Sequence, residues 1–224
     1  MISLLIAAVA FIGSHVLLSS TTLRGTLRDK IGERGFLALF SALAFVTLAW
    51  MTVAYSRAPY VELWNLGVGA RHVTMAVLPF ACILLAGGLI APNPTAVGME
   101  HAAGADDPAP GMLRITRHPV MWAIGLWAIA HLVPNGDLAS LIFFGALGAL
   151  ALGGTLLIDR KKRLALGSNW ERLAQLTSNV PFVAIAAGRA RFPSNIALPV
   201  AAGLLLYLVL LWAHPLITGV AILS

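Results

Sequence analysis

The sequence predicts an all-α fold, a polytopic transmembrane bundle of about six helices making one domain over residues 1–224. Three observations carry this. Hydrophobic residues are 59% of the chain and charged ones 11%, with mean hydropathy +0.87, too apolar for an ordinary water-soluble domain. Apolar runs of about 20 residues, enough to cross the hydrocarbon core, recur from end to end. Lys and Arg collect in alternate connections between those runs.

Spans are expected at 2–20, 36–55, 71–91, 119–134, 138–158 and 196–222. Residues 1–19 lack the basic start and the A-x-A pattern of a cleaved signal, so they read as a retained first helix. The second span ends at Tyr55 and is followed by Tyr60 and Trp64, placed like an interfacial aromatic belt. The stretch Pro92 to Gly111, rich in Pro, reads as a flexible connector in which the adjacent acids Asp106 and Asp107 are solvated rather than catalytic. Pro119 suits a first helical position, because its fixed φ and missing N–H cost nothing there, and this puts His118 at a helix N-terminus. The helix it starts is short and needs tilt, local thinning or shielding by its neighbours.

In the fifth span, Gly145, Ala149 and Gly153 recur at four-residue spacing, a stripe suited to close helix approach. Beyond it, Ser168-Asn169-Trp170-Glu171 has the pattern of a capping box. The short helix it opens places Trp170, Leu173 and Leu176 on one side, as for a helix lying in the membrane interface, and Pro181 stops it.

Thirteen of the fifteen Lys and Arg lie in three connections: after the first span, before the fourth and after the fifth. Only Arg57 and Arg71 fall on the other side. The positive-inside rule then puts both termini outside and the long connections in the cytoplasm. The formal charge of +6 is accordingly read as facing anionic lipid, with no nucleic acid as partner. The single cysteine, Cys82, excludes a disulfide framework and a cysteine zinc site.

The stretch Arg114 to His131 (RITRHPVMWAIGLWAIAH) concentrates the chemistry, since ionisable groups at membrane depth are expensive to keep without a use. His118 and His131 are separated by about 20 Å and about 140° on one helix, so they serve different sites. Arg114, Arg117 and His118 form a cationic group at a helix N-terminus, where backbone N–H groups and the dipole favour an anion: lipid phosphate, or a carboxylate or phosphate on a substrate or cofactor. His131 has Trp127 and Ala128 on its own face, an aromatic wall beside a gap that would take a porphyrin edge. Neutral imidazole suits haem iron, and several membrane histidines together favour that use over helix-to-helix hydrogen bonding alone. His72 and His214 are expected at the same depth as His131, whereas His15 lies nearer the inner end of its helix; pairing His15 with His131 requires an extended first helix or a tilted fourth. His101 falls in the connector and is expected to be inert.

An ordered set of short motifs spans nearly the whole chain: Gly13-Ser14-His15 with Leu23-Arg24, Arg114-Ile115-Thr116-Arg117-His118-Pro119, Trp127-Ala128-Ile129-Ala130-His131, Thr177-Ser178-Asn179-Val180-Pro181-Phe182, and Ala213-His214-Pro215. The set resembles the NnrU family of bacterial membrane proteins, whose relatives include the plant zeta-carotene isomerase. That resemblance implies a multi-pass inner-membrane protein linked to nitrite and nitric oxide metabolism in denitrification. It also implies an isomerase branch that holds haem b and acts on a carotenoid-like apolar substrate, with axial histidines matching His15 and His131. Where the isomerase has a cysteine this chain has Ala128, which removes the thiolate that a histidine-for-cysteine ligand exchange would need.

A more distant similarity, on Arg-His-Pro and Val-Pro, is to isoprenylcysteine carboxyl methyltransferases. Their aromatic and glycine are replaced here by Met121 and Ala123, and their acidic pair by Asp159-Arg160. Three functions follow as expectations: a haem b protein with an isomerase-like reaction, a membrane methyltransferase using S-adenosylmethionine near His118, or a non-catalytic accessory protein.

Overall fold

The computed structural model describes residues 1–20, 22–220 and 222 of the chain. Its helices are α1 (Ile2–Ser20), α2 (Thr22–Ser56), α3 (Ala70–Ile90), α4 (Pro119–Leu132), α5 (Leu138–Leu166), α6 (Ser168–Leu176), α7 (Val183–Ala186) and α8 (Ala197–Thr218), with 3-10 turns at Glu100–Gly104 and Gly111–Arg114. Five of them, α1, α2, α3, α5 and α8, are long and apolar enough to cross a membrane. The chain is a multi-pass, all-α membrane protein.

The main helix contacts run in the order α2, α1, α5, α4, α3, α8, with α2 also touching α5. The 14 residues of α4 reach only about 21 Å. It is packed between α3 and α5, in keeping with shielding by its neighbours. Small residues let its neighbours close in. A side chain at Gly125 would collide with Leu152, one at Gly154 with Met121, and one at Gly88 with Pro119 and Val120. The outermost helix, α8, touches the bundle through Gly203, which lies against the backbone of Ile83, and through Tyr207, whose hydroxyl donates to the Met75 carbonyl (3.2 Å). Its other side, with Leu205, Leu208, Trp212 and Leu216, is exposed as a lipid-facing helix requires.

Two helices extend beyond their apolar runs. α2 begins at Thr22 rather than residue 36, because the polar segment before Gly35 is also helical, with a break at Gly32 (φ 73°) where only glycine sits without strain. α5 continues through Asp159-Arg160-Lys161-Lys162-Arg163 to Leu166, so these charges ride on a helix rather than in a loop.

The connector 92–111 is a packed structure, not a flexible linker. Pro94, Ala103, Pro108 and Ala109 are fully buried, the Asn93 carboxamide accepts from the Thr95 amide (2.9 Å), and the buried Lys162 ammonium donates to the Ala96 carbonyl (3.1 Å) and to Glu100 (2.7 Å). Burial pushes the Glu100 carboxyl up, but the hydrogen bond and charge of Lys162 together with backbone hydrogen bonds outweigh it and hold the group below its ordinary value. Asp107 pairs with Arg114 at 2.9 Å.

α6 forms where expected but without the capping box: Gly167 precedes it in a non-helical conformation, and no side chain caps its start. Its apolar face is covered by protein rather than left open to lipid. Trp170 and Leu173 are buried against Ala109 of the connector and Leu113 of the 3-10 turn after it. Along the stripe Gly145, Ala149, Gly153, Ala149 is exposed and no described residue lies within 4 Å of where a side chain at Gly145 or Gly153 would start; Gly148, one register over, is the glycine that meets Ala128 of α4.

At the opposite end, Leu63 and Trp64 amides donate to the Gly136 carbonyl (2.7 and 3.0 Å), and Leu138 donates to Val61 (2.9 Å). Tyr55 stacks on Phe143 and bonds Ser140 (2.9 Å), so of the three belt aromatics only Tyr60 stands fully exposed.

Candidate functional site

Two separate groups of polar side chains meet the requirements for chemistry, one at each end of α4.

At its N-terminus, the segments 115–118 and 178–182 are joined by backbone hydrogen bonds, Arg117 N–H to Ser178 (2.9 Å) and Phe182 N–H to Ile115 (2.8 Å). The Thr116 hydroxyl donates to the Asn179 carbonyl (2.5 Å). The Asn179 side chain then accepts from Trp122 Nε1 (3.3 Å) and donates to the Thr155 hydroxyl (2.9 Å), tying α4 to α5. Two motifs more than sixty positions apart in the chain thus form one floor. On it, His118 is buried with Nε2 at 2.6 Å from Asp159 Oδ1, and Arg117 Nε lies 3.5 Å from Asp159 Oδ2. The Arg117 guanidinium also stands over the Trp170 ring, 5.3 Å from its centroid. Burial lowers the Arg117 pKa from its usual range; Asp159 opposes that shift, while Arg189 and Arg163 add to it by repulsion.

The geometry brings together only two of the three cations expected here. Arg114 turns away: its Nε donates to the Ala109 carbonyl (3.1 Å) and its terminal nitrogen to Asp107 (2.9 Å). The residue that completes the group, Asp159, is one that sequence reasoning did not assign to it. A signal was present, since a lone carboxylate at the end of a long apolar run needs a partner.

At the other end of α4, His131 Nδ1 is 2.8 Å from the Trp127 carbonyl, and the ring packs between Trp127 and Phe144, with centroid separations of 4.8 and 5.1 Å. On α1, His15 Nδ1 is 2.7 Å from the Phe11 carbonyl, and its ring touches Phe11 and Phe40. A carbonyl only accepts, so in both rings Nδ1 carries the proton and Nε2 keeps its lone pair. That is the tautomer a metal ligand needs, with the other nitrogen fixed by a backbone acceptor. By donor chemistry each of the two residues could hold a haem iron through Nε2. They lie on different helices that both pack on α5, and Phe11 and Phe144 belong to one apolar cluster between them.

The aromatic wall beside His131 is present, but the gap at Ala128 is not: Ala128 is fully buried, and a side-chain carbon at Gly148 of α5 would meet it at 3.3 Å. Of the other histidines, His72 is exposed on α3; Thr74, two residues on, faces α4 and donates to the Ala130 carbonyl (2.7 Å), so His72 is turned by about 200° from that face. His214 lies near the end of α8, with Nδ1 3.1 Å from the Val220 carbonyl just past that end and 3.2 Å from the Thr218 hydroxyl. His101 is exposed in the connector. Among the described residues there is no group of three or more His, Cys, Asp or Glu suited to a bare metal ion.

The chain is 30% identical over 214 residues to the chloroplastic 15-cis-zeta-carotene isomerase of Arabidopsis thaliana, covering 88% of this chain and 56% of that protein. It is 28% identical over 209 residues to the Zea mays 15-cis-zeta-carotene isomerase, covering 87% and 55%. The chain therefore spans about half the length of the curated relatives it matches. No solved structure matches it. The model of the family described as NnrU protein matches residues 3–222, so the chain belongs to the NnrU family.

Proposed function

We propose that this protein is an isomerase-like membrane protein that holds haem b through His15 and His131 and acts on an apolar, carotenoid-like polyene. The observation that carries the reading is the shared state of the two imidazoles, each with Nδ1 committed to its own helix and Nε2 left as a donor atom. The relatives named as carotenoid isomerases support the substrate class.

Haem b, when bound, supplies a redox-active iron centre. The chain's own part is to hold and to exclude: Trp127 and Phe144 fix the plane of His131, Phe11 and Phe40 fix that of His15, and the buried cluster around Leu4, Ala7, Phe11, Met51 and Phe144 keeps water out. A polyene soluble only in the hydrocarbon phase would enter from lipid. Protein made with ample haem and purified in mild detergent is expected to show a Soret band with sharp α and β bands on reduction. Fully folded, colourless protein overturns the reading and leaves the S-adenosylmethionine-dependent methyltransferase and the accessory-protein alternatives.

The proposed setting is the bacterial inner membrane, in the context of nitrite and nitric oxide metabolism, with both termini periplasmic. The basic segments support this orientation. Arg117, Lys162 and Arg172 all engage partners at one end of the bundle, through Asp159, Glu100 and the Ala105 carbonyl. A periplasm-active reporter fused after Gly136 should be active and one fused after Leu166 silent; the reverse pattern inverts the topology.

A further inference from the structure

Between α6 and α8 the chain exposes apolar side chains from a backbone that the fold holds in place. Val180, Phe182, Val183 and Phe192 are 52%, 54%, 47% and 57% exposed. Beneath them, Phe182 N–H donates to the Ile115 carbonyl (2.8 Å), the Ser178 hydroxyl accepts from the Ala184 amide (2.9 Å), and Ala184 is fully buried. Phe182 lies in the left-handed region (φ 66°), alone among the described non-glycine residues. A bulky side chain is strained there, and glycine or asparagine would sit at less cost. An aromatic ring kept at such a position without protein cover calls for an apolar phase outside the protein.

The depth of the stretch agrees with that. Ile185, on its inner side, packs together with Ile196 on the cluster of Leu84, Met112, Ile115 and Ala123. Leu84 is six residues before the end of α3 and Ala123 four residues past the start of α4, so they lie about 9 and 6 Å inside those ends. α8 begins at Ala197, directly after Ile196, and its exposed side opens with Leu198. The stretch therefore sits at the level where three apolar helices end. Its charge has one sign. Glu171 is the last acidic residue of the chain, whereas Arg189 and Arg191 both follow it. Arg189 donates to the carbonyls of Ala174, Gln175 and Thr177 and keeps its charge; Arg191 is exposed.

We propose that residues 180–192 are an interfacial anchor, in which Phe182, Val183 and Phe192 enter the acyl edge of an anionic leaflet and Arg189 and Arg191 face its lipid phosphates. Aromatic rings favour that boundary, and apolar and basic groups side by side are what hold an amphipathic segment in it. Since Arg117 and Ile115 are hydrogen-bonded to Ser178 and Phe182, the anchor also sets the height of the floor beneath His118 relative to the leaflet. This inference is independent of the haem reading.

The experiment is spin-label accessibility on the full chain in vesicles of phosphatidylcholine and phosphatidylglycerol. On a Cys82→Ala background, labels are attached at Phe182→Cys and Phe192→Cys. His101→Cys, exposed in the connector, is the water standard, and Leu208→Cys, exposed on α8, is the hydrocarbon standard. The labels at 182 and 192 should collide with a water-soluble nickel chelate roughly fivefold less often than the label at 101, and with oxygen more often, as for side chains about 5–10 Å into the boundary. Omitting phosphatidylglycerol, or Arg191→Gln, should raise the nickel collisions at 192. Phe192→Cys tests the anchor even if Phe182→Cys, at the strained position, fails to fold. The proposal is overturned if both labels meet nickel as freely as the label at 101, which puts the stretch in water. It is equally overturned if neither reagent reaches them, which means that a second copy or another protein covers the stretch. It also fails if Arg191→Gln and the loss of phosphatidylglycerol both leave the collisions at 192 unchanged, since the leaflet's charge then plays no part.

Discussion

Asp159→Ala should lower the stability of the detergent-solubilised protein by about 3–5 kcal/mol, because it leaves His118 and Arg117 buried with no compensating charge. At about 2–4 °C per kcal/mol for a chain of this size, the thermal midpoint falls by roughly 10 °C. The effect is large because all three side chains are 16% exposed or less, so solvent does little to screen them. Asp107→Ala is the matched comparison. It also breaks a carboxylate–arginine pair, but Asp107 is 46% exposed, and such pairs are worth about 1 kcal/mol or less. Asp159→Asn keeps an oxygen for His118 Nε2 and removes only the charge, so it should fall between the two. If Asp159→Ala and Asp107→Ala cost the same, Asp159 is not the keystone that joins α5 to the start of α4.

The same carboxylate shows where sequence reading stops. Helix positions followed from hydropathy because a bilayer enforces one rule everywhere, that backbone polar groups be satisfied within the segment. Hence α1, α3, α4 and α8 lie close to their expected bounds. Hydropathy could not see that α2 starts at Thr22 or that α5 runs on to Leu166, because helices outside the hydrocarbon region carry polar residues without penalty. The packing of the connector was hidden for a different reason. Its many prolines disfavour helix but do not forbid burial, and Pro94 and Pro108 are fully enclosed. His118 was recognisable as a special position, since Arg-His-Pro opens a helix at a membrane end. Its partner lies 41 residues away on α5, and no local pattern links them. Asn179 belongs to the same lesson: it stood out within a motif, yet its work of joining Trp122 to Thr155 is visible only in three dimensions. Ala128 shows the converse, for a small residue reads equally as space for a ligand and as space for a neighbouring helix, and here Gly148 of α5 fills it.

His131→Ala should abolish or shift the Soret band of protein prepared with haem, and this is the largest single effect expected of any side chain in the proposed haem site. An imidazole packed between Trp127 and Phe144 near the end of an apolar helix satisfies Nδ1 at the Trp127 carbonyl but makes no hydrogen bond with Nε2 among the described residues. Such a nitrogen is either a small standing penalty or a ligand. His15→Ala should move the spectrum towards a five-coordinate form, since His15 presents the same tautomer from α1. His214→Ala is the competing test, because His214 sits on α8 within electrostatic reach of His131. His72→Ala, exposed and turned from α4, is the control expected to leave the bands intact. Should His214→Ala remove the signal while His15→Ala does not, haem binding stands and its second ligand moves to α8. Arg117→Ala provides the last discrimination. His118 and His131 touch α5 at Asp159 and Phe144, about 22 Å apart along that helix, so a change at the Arg117 end should leave haem content unaltered. If folded Arg117→Ala loses haem as completely as His131→Ala, the two ends of α4 form one site and the separation drawn between them fails.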